Sequence, residues 1–148
     1  MEIIEKQYLS VESLLSYRTR STYNKLGKLI EHISSSLESL EMEQTGNIIF
    51  SLKENTYGTD EVILDLEFLV PVGKEFKSNE FYVYKPQIKL YNAVRATHSG
   101  TYDTLINSRK KFQTYLSQKC YQPITDFYYC VNNSNLVDIY VGINGNIV

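Results

Sequence analysis

Two stretches alternate apolar and polar positions in the same way. In residues 62–72 (VILDLEFLVPV), Val62, Leu64, Leu66, Phe68, Val70 and Val72 share one face, and Ile63, Asp65, Glu67, Leu69 and Pro71 share the other. In residues 136–143 (LVDIYVGI), Val137, Ile139, Val141 and Ile143 oppose Leu136, Asp138, Tyr140 and Gly142. Successive strand side chains point to opposite sides of a sheet. Each run therefore predicts a strand that packs one apolar face on a helix and turns a single matched carboxylate, Glu67 or Asp138, the other way.

The rest of the chain supplies the helices. Residues 11–20 read as a strand ending in alternating Arg18 and Arg20. From Tyr23 onward, Leu26, Ile30, Ile33, Leu37 and Leu40 draw one stripe at helical spacing. That stripe predicts a helix of about six turns, capped by Ser21 or Thr22, with Gly46 just beyond its end. Residues 47–52 form a short strand, and 53–61 are rich in turn formers. After a polar stretch the pattern resumes with short strands at 81–84 and 88–97. A second helix runs from Tyr102 to about Lys119, its apolar side formed by Tyr102, Leu105, Ile106, Phe112, Tyr115 and Leu116. Ser99 or Thr101 caps it, with Asp103 in the first turn, where the helix dipole favours negative charge. A strand at 126–131, an NNSN turn and the final strand complete the chain.

Strand, helix, strand, strand thus occurs twice. YRTRSTYNKL (17–26) resembles VRATHSGTYDTL (94–105), with two extra residues in the second copy, and LEFLVPV (66–72) resembles VDIYVGI (137–143) without a gap. The expected fold class is α+β. It is a duplicated β-α-β-β unit whose pseudo-two-fold antiparallel sheet carries two helices on one face and a concave cleft on the other. A single domain covers 1–148, with repeat 1 at about 1–73, a linker at 74–80 and repeat 2 at about 81–148.

Composition narrows the function. With 148 residues, 43% apolar and 22% charged, the chain is an ordinary globular domain. A net charge of −2 offers no field for a polyanion, so no direct nucleic-acid partner is expected. No leader-like or membrane-spanning run is visible, which points to a cytoplasmic protein with no membrane partner. Cys120 and Cys130 lack metal-ligand spacing and read as reduced thiols. His32 falls off the helical stripe and reads as an ordinary exposed histidine. The 13 tyrosines, beside no tryptophan, suit either an aromatic pocket wall or simply a sheet-rich protein.

Over nearly its whole length the chain resembles the GyrI-like effector-binding domain, the ligand-sensing module of multidrug-responsive bacterial transcription activators, related to the SOUL haem-binding proteins, most specifically in its second half. The resemblance rests on a strand entering His98-Ser99-Gly100-Thr101-Tyr102, an amphipathic helix, and a final strand of the form acid-apolar-aromatic-apolar-Pro-apolar. Here that strand is Asp138 to Ile143, with Asp138 for the usual glutamate and Gly142 for the proline, whereas the first half keeps both as Glu67 and Pro71. The resemblance implies a cleft whose acid and aromatic walls hold small, often cationic or amphipathic, organic molecules. It makes Glu67, Asp138, Tyr140, Leu69, Tyr128 and Tyr91 the ligand-binding residues. His98 and Gly100 are expected to build the turn that starts the helix rather than to ligate haem, and no cofactor or metal is expected. Because the sensor-like region begins within the first dozen residues, a standalone copy without a DNA-binding segment is expected.

A small organic ligand is therefore the expected partner. The competing bland reading makes Glu67 and Asp138 solvated residues on an open sheet face. A second function is a protein-binding module of the gyrase-inhibitor kind, with residues 81–84 (FYVY) as its contact, and a homodimer is a further expectation of partnership. A third is hydrolysis by cleft carboxylates. The chain carries no nucleophile elbow, HExxH or phosphate loop, which weighs against an enzyme.

Overall fold

The computed structural model describes residues 1–58 and 60–144. Six strands and two helices follow one another as β1 (Glu2–Ser21), α1 (Leu26–Ser39), β2 (Ile49–Asn55), β3 (Ile63–Pro71), β4 (Tyr82–Ser99), α2 (Leu105–Gln118), β5 (Tyr128–Asn133) and β6 (Leu136–Gly142). A single 3₁₀ turn precedes each helix, at Tyr23–Lys25 and Tyr102–Thr104. The fold is α+β. The chain forms two compact units, Val11–Gln87 and Met1–Ser10 with Ile88–Val148. Both β1 and β4 begin in one unit and end in the other.

In the first unit β3 pairs antiparallel with β1 on one side and β2 on the other. Leu64, Leu66, Phe68, Val70 and Val72 are buried, as are Leu26, Ile30, Ile33 and Leu37 of α1, so the two periodic patterns account for this core. In the second unit β6 pairs antiparallel with β4 and β5. Val137, Ile139, Val141 and Ile143 are buried there, together with Leu105, Phe112 and Leu116 of α2.

Several boundaries differ from the sequence expectation. The first helix stops near Leu40, well before Gly46. Glu41 takes a left-handed conformation (φ 57°), the amide of Met42 donates to the carbonyl of Leu37 at 3.0 Å, and that of Glu41 donates to Glu38 at 3.1 Å. This is a Schellman closure built without glycine. The second helix ends in the same way, with Cys120 at φ 57° and the Tyr121 amide donating to Leu116 at 2.9 Å. Neither helix receives a side-chain cap bond at its start; the Thr22 and Thr101 hydroxyls donate instead to Asn24 and Asp103.

Residues 81–84 and 88–97 are not two strands, because β4 runs unbroken through Pro86, whose ring-fixed φ suits extended backbone. At the N-terminus, residues 2–10 extend β1. Lys6, at φ 57°, interrupts the alternation there and hides the strand from a periodicity reading.

The spacing of elements along the chain also differs from that of the sequence match. Leu14 faces Pro71 and Ala93 faces Gly142, and 79 positions separate Leu14 from Ala93. The same 79 separates Leu26 from Leu105 and Ile49 from Tyr128 at the starts of matching elements. No two-residue insertion enters before the second helix. The sequence match had aligned Arg18 with Arg95, whereas the register matches Arg18 to Thr97. That shift changes what faces each acid.

Candidate functional site

Glu67 lies midway along β3, opposite Arg18 of β1 and Ser51 of β2. Its side chain is 17% exposed, and two hydrogen-bond donors and a more distant guanidinium converge on one oxygen. Ser16 Oγ donates to Oε2 at 2.6 Å, Lys85 Nζ donates to it at 2.7 Å, and Arg18 Nε lies 3.6 Å away. Burial pushes this carboxyl up, but the hydrogen bonds from Lys85 and Ser16, aided by the charges of Lys85 and Arg18, outweigh it and hold the group below its ordinary value. Glu67 is therefore a half-buried, ionised acid that carries its own counter-ions. The neighbouring Asp65 sits at the exposed end of the same face, where Arg20 Nε donates to it at 2.9 Å and the Tyr57 hydroxyl also donates to it.

Asp138 occupies the matched position on β6 but meets different chemistry. Thr97 Oγ1 donates to Oδ1 and Asn132 Nδ2 to Oδ2, each at 2.9 Å. Both partners are neutral. Cys130 faces Asp138 in register, and burial first, then the Asp138 charge, pushes its thiol up to about 12. Tyr140 lies two residues along, between Tyr128 of β5 and Arg95 of β4. A hydrogen bond to Tyr140 holds the Arg95 guanidinium above its ordinary value. Arg95 Nε is buried, and no partner for it is found among the described residues.

The six expected ligand residues thus divide between the units. Asp138, Tyr140 and Tyr128 come together on β5 and β6, and Tyr91 of β4 is 75% exposed with its ring tilted against Tyr8 at 5.8 Å. Glu67 is on β3 with Leu69, which is buried in register with Ser16 and Ile49. The sequence reading missed Lys85, Ser16 and Arg18 as partners of Glu67. Arg18 was legible only as part of an alternating strand, and Lys85 is joined to Glu67 by tertiary folding alone.

His98 is buried, and both its ring nitrogens are used. Nε2 lies 3.1 Å from the Thr101 carbonyl, which can only accept, so Nε2 carries a proton, and Nδ1 is hydrogen-bonded with Ser108 Oγ at 2.7 Å. Gly100, at φ 136°, closes the turn where a Cβ would come within 3.2 Å of Thr104 Oγ1. These two residues build the entrance to α2.

A second feature lies on the helix side of β1. Tyr17, Ile33, Leu37, Leu40, Phe81 and Tyr82 line an apolar cavity of about 200 Å³ in the first unit. Tyr17 and Arg18 point to opposite faces of β1, so this cavity and the Glu67 cluster are separate features. Among the described residues, no group of three or more His, Cys, Asp or Glu could hold a metal ion, and no helix is long and apolar enough to cross a membrane.

No family model matches the sequence, and no curated protein sequence matches it. Solved structures do match. The crystal structure of the EcmrR C-terminal domain superposes with a TM-score of 0.66 at 16% identity, covering 97% of this chain and 99% of that one. EcmrR in its DNA complex gives 0.69 at 16% identity, with 95% of this chain matched to 57% of that protein, so this chain spans little more than half of EcmrR. SAV2435 bound to tetraphenylphosphonium gives 0.56 at 10% identity, covering 98% and 95%. The chain has the GyrI-like effector-binding fold.

Proposed function

We propose that this chain is a small-molecule-binding module of the effector-binding type, built from a duplicated β-α-β-β unit. Glu67 and Leu69 are the proposed ligand residues of the first unit, and Asp138, Tyr140, Tyr128 and Tyr91 those of the second. The observation that carries this reading is Glu67 itself. A sheet face that only had to be soluble has no need of an ionised carboxylate held at 17% exposure by two hydrogen-bond donors and a nearby guanidinium. The likeness in fold to SAV2435, a protein bound to an organic cation, supports the same reading.

A thermal-shift screen of organic cations, anions and neutral aromatics tests it. A ligand at a hundredfold its Kd is expected to raise Tm by about 5 °C or more. The double variant Glu67→Gln/Asp138→Asn is expected to change that ligand's affinity severalfold. A screen without a hit, or a hit whose affinity the double variant leaves unchanged, overturns the proposal.

One observation favours a protein partner as a second reading. Tyr82 and Tyr84 pack edge-on against Phe76, at 5.5 and 5.3 Å, while Phe81 before them and Val83 between them are exposed. Affinity capture with wild type and with Phe81→Ser/Val83→Ser is expected to show one stoichiometric partner lost in the variant. Capture that is the same for both rejects this reading.

A further inference from the structure

Resting on the small-molecule reading above, we infer that Lys85 is an internal counter-ion that sets the charge of the ligand, so that the Glu67 face selects an organic anion rather than an organic cation. Lys85 Nζ already occupies the place a ligand cation would take, 2.7 Å from Glu67 Oε2. Ser16 Oγ fills a second position on the same oxygen at 2.6 Å. A cation could reach Glu67 only by expelling an ammonium that belongs to the chain, and would then leave two positive side chains, Lys85 and Arg18, beside itself.

The local sum of charge points the same way. One carboxylate faces two cations, so the cluster is positive by one. Arg18 is the looser partner. Its Nε stands 3.6 Å from Oε2 and its side chain is 79% exposed, whereas the Lys85 side chain is 38% exposed. An arginine held this weakly can turn its planar fork to an incoming carboxylate, sulfonate or similar anion without breaking the Lys85–Glu67 pair. The matched acid, Asp138, takes its hydrogen bonds from the uncharged Thr97 and Asn132 and feels the charge of Arg95 without a direct ion pair among the described residues, so a cation bonded to the acid is a property of the Glu67 face.

Tetraphenylphosphonium and tetraphenylborate have nearly the same shape and opposite charge, which isolates the variable. Calorimetric titration of the full chain is expected to show tetraphenylborate binding about tenfold tighter than tetraphenylphosphonium. Lys85→Met is expected to reverse that order, and Lys85→Arg, which keeps the charge, is expected to preserve it. Circular dichroism of both variants checks that they fold. A wild type that prefers the phosphonium, or a Lys85→Met protein with an unchanged ratio, overturns the inference while leaving small-molecule binding intact. Failure of both ions to bind wild type and both variants overturns the inference, and a failed broader screen then removes the parent reading separately.

Discussion

The amide of Gly142 donates to Thr125 Oγ1 at 2.9 Å, and a Cβ placed on Gly142 would lie 2.8 Å from Thr125 Cγ2. The matched pair in the first unit reverses the sizes. Gly46 stands where Thr125 does, 79 positions earlier, and a Cβ there would come within 3.2 Å of Pro71. Small faces large in both units, with the order exchanged. Glycine at 142 therefore reflects the bulk and hydroxyl of Thr125, not a slack strand end. Gly142→Pro removes the donated N–H and overpacks the contact, and is expected to destabilise by about 1 to 3 kcal/mol in urea unfolding. In a Thr125→Gly background the same change is expected to cost clearly less, and equal losses in the two backgrounds would remove the coupling.

Glu41 and Cys120 each close a helix at φ 57°, a conformation that side-chain-bearing residues adopt at a cost. Glu41→Gly and Cys120→Gly are each expected to raise stability by about 0.5 to 1 kcal/mol. Thermal unfolding of the two single variants and the double variant measures this. The gains should add, since the two helix ends share no hydrogen bond among those described.

Glu5 of β1 accepts hydrogen bonds from the hydroxyls of Tyr115, on α2, and Tyr121, just beyond it, tying the N-terminal strand to the end of the helix. The Tyr115 bond first, then the Tyr121 bond, holds the Glu5 carboxyl below its ordinary value, and the Glu5 bond, aided by burial, pushes Tyr115 up to about 12. A depressed carboxyl stabilises the fold above its unfolded value of about 4.3, and that stability is lost as pH falls through the lower folded value. For the raised tyrosine the sign reverses. Its contribution is complete below the unfolded value of about 10. It is lost as pH rises through about 12. The stability difference between wild type and Glu5→Gln is thus expected to be largest near neutral pH and to shrink on both flanks. Urea unfolding across pH tests this, and a flat difference would show that the clamp contributes nothing.

Cys120 and Cys130 are both free thiols. Cys120 is exposed, whereas burial and the Asp138 charge hold the Cys130 thiol protonated far above neutral pH. Alkylation at pH 8 followed by peptide mass spectrometry is expected to label Cys120 within minutes and Cys130 only after unfolding. Rapid labelling of native Cys130 would contradict the packing between β5 and β6.

The hydrophobic periods by themselves determined the order of strands and helices and most buried positions, although Leu40 and Val62, read onto packed faces, lie beyond the element ends and are exposed, and Leu69, read onto the outward face, is buried. A stripe at helical spacing or an alternating run has one way to remove its apolar side from water. Leu26 to Leu37 on α1 and the even positions of β3 needed no further information. The residue pattern also placed Glu67 and Asp138 on the faces turned away from the helix-side core, and the family resemblance assigned His98 and Gly100 to a turn.

Local conformation and long-range register were not legible. Lys6 and Glu41 adopt left-handed backbone without the glycine that announces it, so the start of β1 and the end of the first helix were misplaced, whereas the second helix ends near Lys119 as its pattern predicts. Only the tertiary structure decided what each acid meets. Lys85 is 18 positions from Glu67 and Ser16 is 51 away, and their contacts exist because strand pairing brings them to one carboxylate oxygen. Repetition in the sequence made Glu67 and Asp138 look like equivalent sites. Register gives one acid ion-pair partners and the other hydrogen bonds from the uncharged Thr97 and Asn132, because the groups beside a carboxylate depend on the neighbouring strand and not on its own.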